Sequence, residues 1–249
     1  MIQAAVPGSL NGSRLVRLLS GLAGTTVETS PGKFTERLGD LIDLSDSISI
    51  SLAHGKLPAG GFKPGIVSAR VAREDAQRVR SSMESAISRS FSPGGRPTRV
   101  KLPAADGPIP QDEKAAFEPY LKFYEAHQRD ISFRSQNLHA QTRDAVAGLS
   151  PDLARLATLD AALAKTLLAP TREFFSAIPK ILQGRFGLLF GDYVKALGEQ
   201  VEDRKLWLQL HEQFCGELRS LLMAEIEARL LPVQGLLESI DEGNDTQDE

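Results

Sequence analysis

Residues 203–230 read DRKLWLQLHEQFCGELRSLLMAEIEARL, and within them Leu206, Leu210, Phe214, Leu218, Leu222, Ile226 and Leu230 recur every four residues. That period is close to the 3.6 residues of a helical turn, so the stretch predicts one long helix with a single apolar face. A strict spacing of four outruns the turn, so the stripe drifts around the helix and does not hold a coiled-coil seam. Pro232 is expected to interrupt the helix. No strand-like alternation lies in this half of the chain, and the segments before it repeat the same helical pattern.

Working outward toward the N-terminus, Phe174, Phe175, Ile178, Ile181, Leu182, Phe186, Leu189 and Phe190 mark another helix, with Pro179 bending it. Leu153, Leu156, Leu159, Leu163, Leu167 and Leu168 mark a third, opened by Ser150-Pro151 and closed by Pro170. Residues 112–147 carry Phe117, Tyr120, Leu121, Phe123, Tyr124, Ile131, Phe133 and Leu138, again at helical spacing. Residues 92–110 hold five prolines and three glycines, which rule out regular structure and mark a linker. Ahead of it, residues 66–91 predict a basic helix with Val67, Val71, Val79, Met83 and Ile87 on its buried side. Residues 31–52 predict an amphipathic helix, although the alternation Ile48 to Leu52 also fits a strand. Leu15, Val16, Leu18, Leu19 and Leu22 give a short first helix, capped at Asn11 or Ser13 and stopped at Gly24. The expected architecture is all-α: an N-terminal helical region over 1–91, a linker over 92–110, a bundle of long helices over 111–237 and an acidic, solvated tail over 238–249.

Composition narrows the function classes. The chain has 249 residues, 41% hydrophobic and 24% charged, which supports a folded core and a soluble, cytoplasmic protein without a signal peptide or membrane span. One cysteine, Cys215, allows no intramolecular disulfide, and with four scattered histidines the common zinc modules are excluded. No cofactor and no metal are expected. No Gly-x-Ser-x-Gly elbow surrounds a serine, and Gly32-Lys33 lacks the upstream glycine of a phosphate-cradling loop. Cys215, inside a helix beside Phe214, reads as a buried, inert thiol. His127 and His139 are too far apart along one helix, roughly 18 Å, to share an ion. Asp40 and Asp43 share a helix face and are the minimum for a Mg²⁺-dependent nuclease, but the polar face of an amphipathic helix explains them as well. Trp207, Tyr120, Phe123 and Tyr124 could stack on bases, yet at helical spacing aromatics more often form core.

The charge distribution is uneven. Residues 1–105 hold 14 Lys/Arg against 8 Asp/Glu, while residues 106–249 hold 15 against 24, within a net of −3. Between Phe62 and Lys101 nine bases face three acids. Arg70, Arg73, Arg78 and Arg80 are expected to line a helix flank, and Arg96, Arg99 and Lys101 to trail as a flexible basic strand. These seven are the candidate nucleic-acid contacts, since guanidinium and ammonium groups gathered along one surface displace phosphate counterions. Gly95-Arg96-Pro97 is similar to part of the AT-hook core, without its first arginine. An ordinary solvated helix and linker is the competing explanation.

Four stretches, LNGSRLVRLL (10–19), FTERL (34–38), SPDLARLATLD (150–160) and AIPKILQGRF (177–186), resemble a proteobacterial family of unknown function, the ZorF-like proteins of type III Zorya anti-phage defence operons. The resemblance implies neighbours that form a MotA/TolQ/ExbB-like proton channel with an OmpA-like peptidoglycan-binding subunit, and a second cytosolic protein, ZorG-like. It implies a non-enzymatic effector or adaptor that acts with that second protein and binds DNA, functionally linked to the inner-membrane motor without entering the membrane. It defines no catalytic residue. A purely structural helical adaptor without nucleic-acid binding is the alternative, and a metal-dependent nuclease a third reading.

Overall fold

The computed structural model describes residues 13–24, 62–92, 101–107, 109–197 and 203–245. Among them six helices and no strand are present: α1 (Arg14–Ala23), α2 (Ala69–Ser90), α3 (Glu113–Ala147), α4 (Pro151–Thr166), α5 (Leu168–Leu197) and α6 (Asp203–Asp245). The protein is all-α, as its periodicity requires. The amphipathic segment over 31–52, with Asp40 and Asp43, lies outside the described residues.

The ends of the helices follow local chemistry. Gly24 takes the left-handed conformation, φ 65°, that closes α1. Ser150 caps α4 by accepting a hydrogen bond from the Leu153 N–H at 3.2 Å, with Pro151 in the first turn. Asp112 does the same for α3 through the Ala115 N–H at 2.8 Å. Helix α2 begins at Ala69, three residues later than Ile66, because the Gly65 N–H is given to the Gly148 carbonyl at 2.9 Å and Ser68 accepts from Val71. That junction needs two glycines. A Cβ on Gly148 would lie 2.6 Å from the Gly65 Cα, closer than packed atoms tolerate.

Two prolines behave differently from expectation. Pro170 does not end α4, which stops at Thr166; it stands in the first turn of α5, where its missing N–H is harmless. Pro232 does not interrupt α6, which runs 43 residues to Asp245. Burial of Val233, Leu236 and Ile240 beyond the proline supports the helix across the missing hydrogen bond. The tail expected from residue 238 is therefore helical as far as Asp245.

The chain forms two compact units, each drawing residues from both sides of the 92–110 segment. Unit 1 comprises residues 1–28, 83–131 and 176–228. Its core is a mesh of rings: Phe186 lies 5.0 Å from Phe214, 5.4 Å from Phe117 and 5.5 Å from Tyr120, and the mesh continues through Phe190 and Tyr193 to Trp207. Edge and tilted geometries such as these suit the ring quadrupoles. Tyr120, Phe123, Tyr124 and Trp207 are all buried, so they are core and not stacking platforms. The Tyr124 hydroxyl donates to the fully buried Glu225 at 2.7 Å and accepts from Gln128 at 3.0 Å. Arg204 ties the described part of the 92–110 segment to the start of α6 by donating to the Asp106 and Gly107 carbonyls.

Unit 2 comprises residues 29–82, 132–175 and 229–249. Its core is aliphatic: Val146, Leu236 and Ile240 are buried together, and Ala69, Leu149, Leu153 and Leu237 pack against them. Helix α4 buries Ala154 and Ala157, while Leu156 and Leu163 remain exposed. The leucine stripe expected to form the core is thus only partly used, because the small alanine side permits the closer approach. Phe133 and Phe174 are likewise exposed. Helix α2 buries Met83 and Ile87 as expected, but Ala72 and Ala76 take the buried places expected for Val71 and Val79, which are half-buried, and Val67 is exposed. Phe175 is covered by Arg229, whose guanidinium carbon stands 3.5 Å from the ring centroid.

Candidate functional site

The basic helix α2 holds four of the seven arginine and lysine positions singled out from the sequence. Arg70 and Arg78 are exposed; their side chains are 76% and 72% accessible. Arg73 and Arg80, two turns apart on one side of the helix, are half-buried. Each of the four carries contacts: Arg70 bridges Glu74 at 2.5 Å, Arg78 bridges Asp75, and Arg73 and Arg80 have interactions of their own. The carboxylates that meet Arg70 and Arg78 belong to α2 itself, three or four residues away. Such exposed local pairs contribute about 0.3–0.5 kcal/mol and exchange readily for another anion. Arg134 on α3 brings a further guanidinium beside α2, donating to the Ser82 hydroxyl at 2.7 Å. Nothing in the local spacing of Arg134 marked it, since it reaches α2 across 52 residues of chain.

The structure gathers only part of the predicted set. Lys101 is exposed, but it belongs to unit 1 while Arg70 to Arg80 belong to unit 2. Arg96 and Arg99 lie outside the described residues.

Other polar clusters are structural in their geometry. Asp160 on α4 accepts from His139 Nε2 at 2.9 Å and from Arg143 Nε at 2.6 Å, both on α3. Burial works to raise the Asp160 carboxyl, yet the two hydrogen bonds and the neighbouring charge outweigh it and hold the group below its ordinary value. In unit 1, Arg185 grips Glu217 with two hydrogen bonds, 2.9 and 2.5 Å, and Arg14 reaches Glu227 at 2.9 Å. A groove of about 560 Å³ on α6 is lined by Arg14, Glu84, Arg219, Met223 and Glu227. Its mixed charges neither concentrate one sign nor converge on a point.

Cys215 is the remaining reactive group. Its Sγ stands 3.6 Å from His211 Nε2, and His211 Nδ1 is 2.7 Å from the Tyr120 hydroxyl. The row resembles a nucleophile, a base and an orienting group, but its electrostatics run the other way. Burial pushes the thiol up to about 12 and the His211 imidazole below its ordinary value, so neither the thiolate nor the imidazolium is favoured. Burial likewise raises the Tyr120 phenol and lowers His127. Among the described residues, no group of three or more His, Cys, Asp or Glu side chains is arranged to hold a metal ion, and no helix is long and apolar enough to cross a membrane.

The family described as "Protein of unknown function (DUF3348)" matches residues 1–242. The chain belongs to this family. Its match extends over α1 to α5 and nearly all of α6, so the aromatic unit, the aliphatic unit and the basic helix all lie within the DUF3348 region. No curated protein and no solved structure matches the chain.

Proposed function

We propose that this DUF3348 protein is a non-enzymatic helical adaptor that engages the phosphate backbone of nucleic acid through the exposed face of α2. The observation that carries the reading is the concentration of Arg70, Arg73, Arg78 and Arg80 within three turns of one helix, two of them standing clear of the core. Backbone recognition needs no base-reading helix; it needs guanidinium groups that can trade weak partners for phosphate oxygens. The biological setting is that implied by the resemblance: a cytosolic effector of an anti-phage system, acting in complex with a second, ZorG-like protein and coupled to a proton-driven MotA/OmpA-like motor.

The test is binding of a fluorescent DNA duplex over a range of salt. Reversal of the two exposed groups, Arg70→Glu with Arg78→Glu, should weaken binding and reduce the slope of log affinity against log salt by about 0.9 for each phosphate that is no longer neutralised. An unchanged slope removes the nucleic-acid reading. Co-purification with the second operon protein tests the adaptor reading separately.

A structural adaptor that docks helices without touching nucleic acid is favoured by one observation, the exposed Leu156 and Leu163 on a single face of α4. Under that reading Leu156→Gln with Leu163→Gln abolishes partner binding and leaves the fold intact.

A further inference from the structure

One ridge of α5 carries a pattern that is its own complement. Lys180, Gly184, Leu188 and Asp192 follow one another at intervals of four residues, and all four are exposed. Side chains at that interval form one of the ridges by which helices pack. The four belong to unit 1 and lie on the far side of α5 from Ile178, Leu182, Phe186 and Phe190, which face its core.

Leu188 projects from this ridge with 60% of its surface accessible. Gly184 stands one turn before it and Gly191 one turn after it, and a Cβ on either would meet nothing within 4 Å. A Cβ on Gly187, by contrast, would stand 2.9 Å from the Glu113 carboxylate, so that glycine makes room for a neighbour inside the chain. The face thus sets a projecting leucine beside hollows that no described residue fills. Such a surface fits a second copy of itself in a two-fold contact, where one patch serves both sides.

A two-fold contact of this kind sets the helices antiparallel. Two registers seat Leu188 over a glycine of the other copy, Gly184 or Gly191, and charge chooses between them. With Leu188 over Gly184, the axis passes at the level of Phe186 and Lys180 of each copy meets Asp192 of the other. With Leu188 over Gly191, Asp192 meets Gly187 and finds no charge across the contact. Among the described residues Lys180 has no carboxylate partner. Asp192 is approached by Lys195 at 3.5 Å through Oδ1 alone, with 81% of the lysine and 76% of the aspartate side chain exposed. A carboxylate has lone pairs for more than one cation, so Oδ2 can accept Lys180 of the other copy while Lys195 stays in place.

We infer that the exposed face of α5 is a homodimer contact, in which two copies cross antiparallel with Leu188 of each seated on Gly184 of the other and Lys180 paired with Asp192. Ridges of this class cross at about −50°, and glycine brings the axes to the near end of the usual range of about 8–10 Å. Each leucine leaves water, and the two ion pairs fix the register. One pair of helices buries less than the roughly 1,600 Å² of a standard interface, so the dimer forms at micromolar or higher concentration. The inference is independent of the nucleic-acid reading, which concerns α2.

Sedimentation velocity of the full chain, from about 5 to 500 µM, tests the contact, with the fold of each variant checked by circular dichroism. Wild type should pass from monomer to dimer over that range. Leu188→Gln should weaken dimerisation at least about tenfold, whereas Leu163→Gln, the same change on α4, should leave it unchanged. Gly184→Ala should weaken it several-fold while the Tm of the dilute chain holds or rises, because alanine suits a helix better than glycine. Lys180→Asp and Asp192→Lys should each abolish self-association, since each sets like charges opposite one another twice. An equimolar mixture of these two variants should restore the dimer, because both contacts then join opposite charges. A wild type that stays monomeric throughout, dimers that survive Leu188→Gln, equal weakening by Leu163→Gln, or a mixture no more associated than its components overturns the inference.

Discussion

Unit 1 and unit 2 share four of the same helices but are held together by different physics. In unit 1, α3, α5 and α6 meet through large rings, Phe117, Tyr120, Phe186 and Phe214, each of which removes much apolar surface from water. In unit 2, parts of α2, α3, α5 and α6 join α4 through small and aliphatic side chains, with Ala154, Ala157 and the Gly65–Gly148 junction allowing close approach. The aromatic unit depends on filled volume; the aliphatic unit depends on the absence of side chains at a few points. Exposed rings follow the same division: Phe133 and Phe174 belong to unit 2, whereas Phe117, Tyr120, Phe186 and Phe214 of unit 1 are buried; exposed aliphatic side chains occur in both units, Leu156 and Leu163 in unit 2 and Leu188, Val194 and Leu208 in unit 1.

The largest expected effect tests the first half of this contrast. Phe214→Ala removes a fully buried ring that touches Phe117, Tyr120 and Phe186, and should cost about 3–5 kcal/mol, read as a Tm drop on the order of 10 °C. A drop of only a degree or two would mean that the ring mesh carries little of the stability. Next, Gly148→Ala should cost about 1–3 kcal/mol by overpacking, since its Cβ would meet backbone and not a movable side chain. The matched control is Gly216→Ala in unit 1, where nothing lies within 4 Å of the new Cβ and helix propensity should make the change neutral or stabilising by up to about 1 kcal/mol.

Acid should separate the two units. His127 and His211, both in unit 1, have folded values lowered by burial below an ordinary value of 6.5, so the unfolded chain binds protons first as pH falls. Their contribution is full above that value and is lost as pH descends toward the folded ones. Asp160, in unit 2, is lowered from 3.8, so its contribution persists until pH falls below that ordinary value and then through the folded one. Emission of Trp207, the single tryptophan and a unit 1 residue, should therefore respond in mild acid, while amide exchange in α4 stays protected. Simultaneous loss of both signals in mild acid would break the contrast. Asp160→Asn should shift the α4 transition and leave the Trp207 transition in place. The smallest effect is expected at Leu163→Gln, within about 0.5 kcal/mol, because the side chain is exposed; a larger loss of Tm would show that this face is covered in solution.

Helical class, the strong amphipathic faces and the ends marked by Ser150 and Gly24 were legible in the chain because they are local: period, cap and left-handed glycine act within a turn or two. Leu210, Phe214, Leu218, Leu222, Ile226 and Leu230 are buried as their spacing requires. The prolines misled because local rules give the cost of a missing N–H but not the packing that outweighs it, as Val233, Leu236 and Ile240 do beyond Pro232. In α4 the leucines misled for a related reason. Hydrophobicity marks which residues gain from burial, whereas Ala154 and Ala157 decide how near another helix can come. For the candidate site, the charge on α2 was readable residue by residue, but not that Arg134 joins it from α3 or that the end of α6 packs beside its beginning.

By itself the amino-acid order determined the secondary structure, the burial of most large aromatics and the sign of each charged segment, all of which depend on neighbours a few residues away. Tertiary structure alone decided which helix faces meet, that Pro232 is spanned, and that the start of α2 at Ala69 packs on the cluster of Val146, Leu236 and Ile240. Those outcomes depend on contacts between residues separated by long stretches of chain, where shape and volume compete and no local pattern records the result.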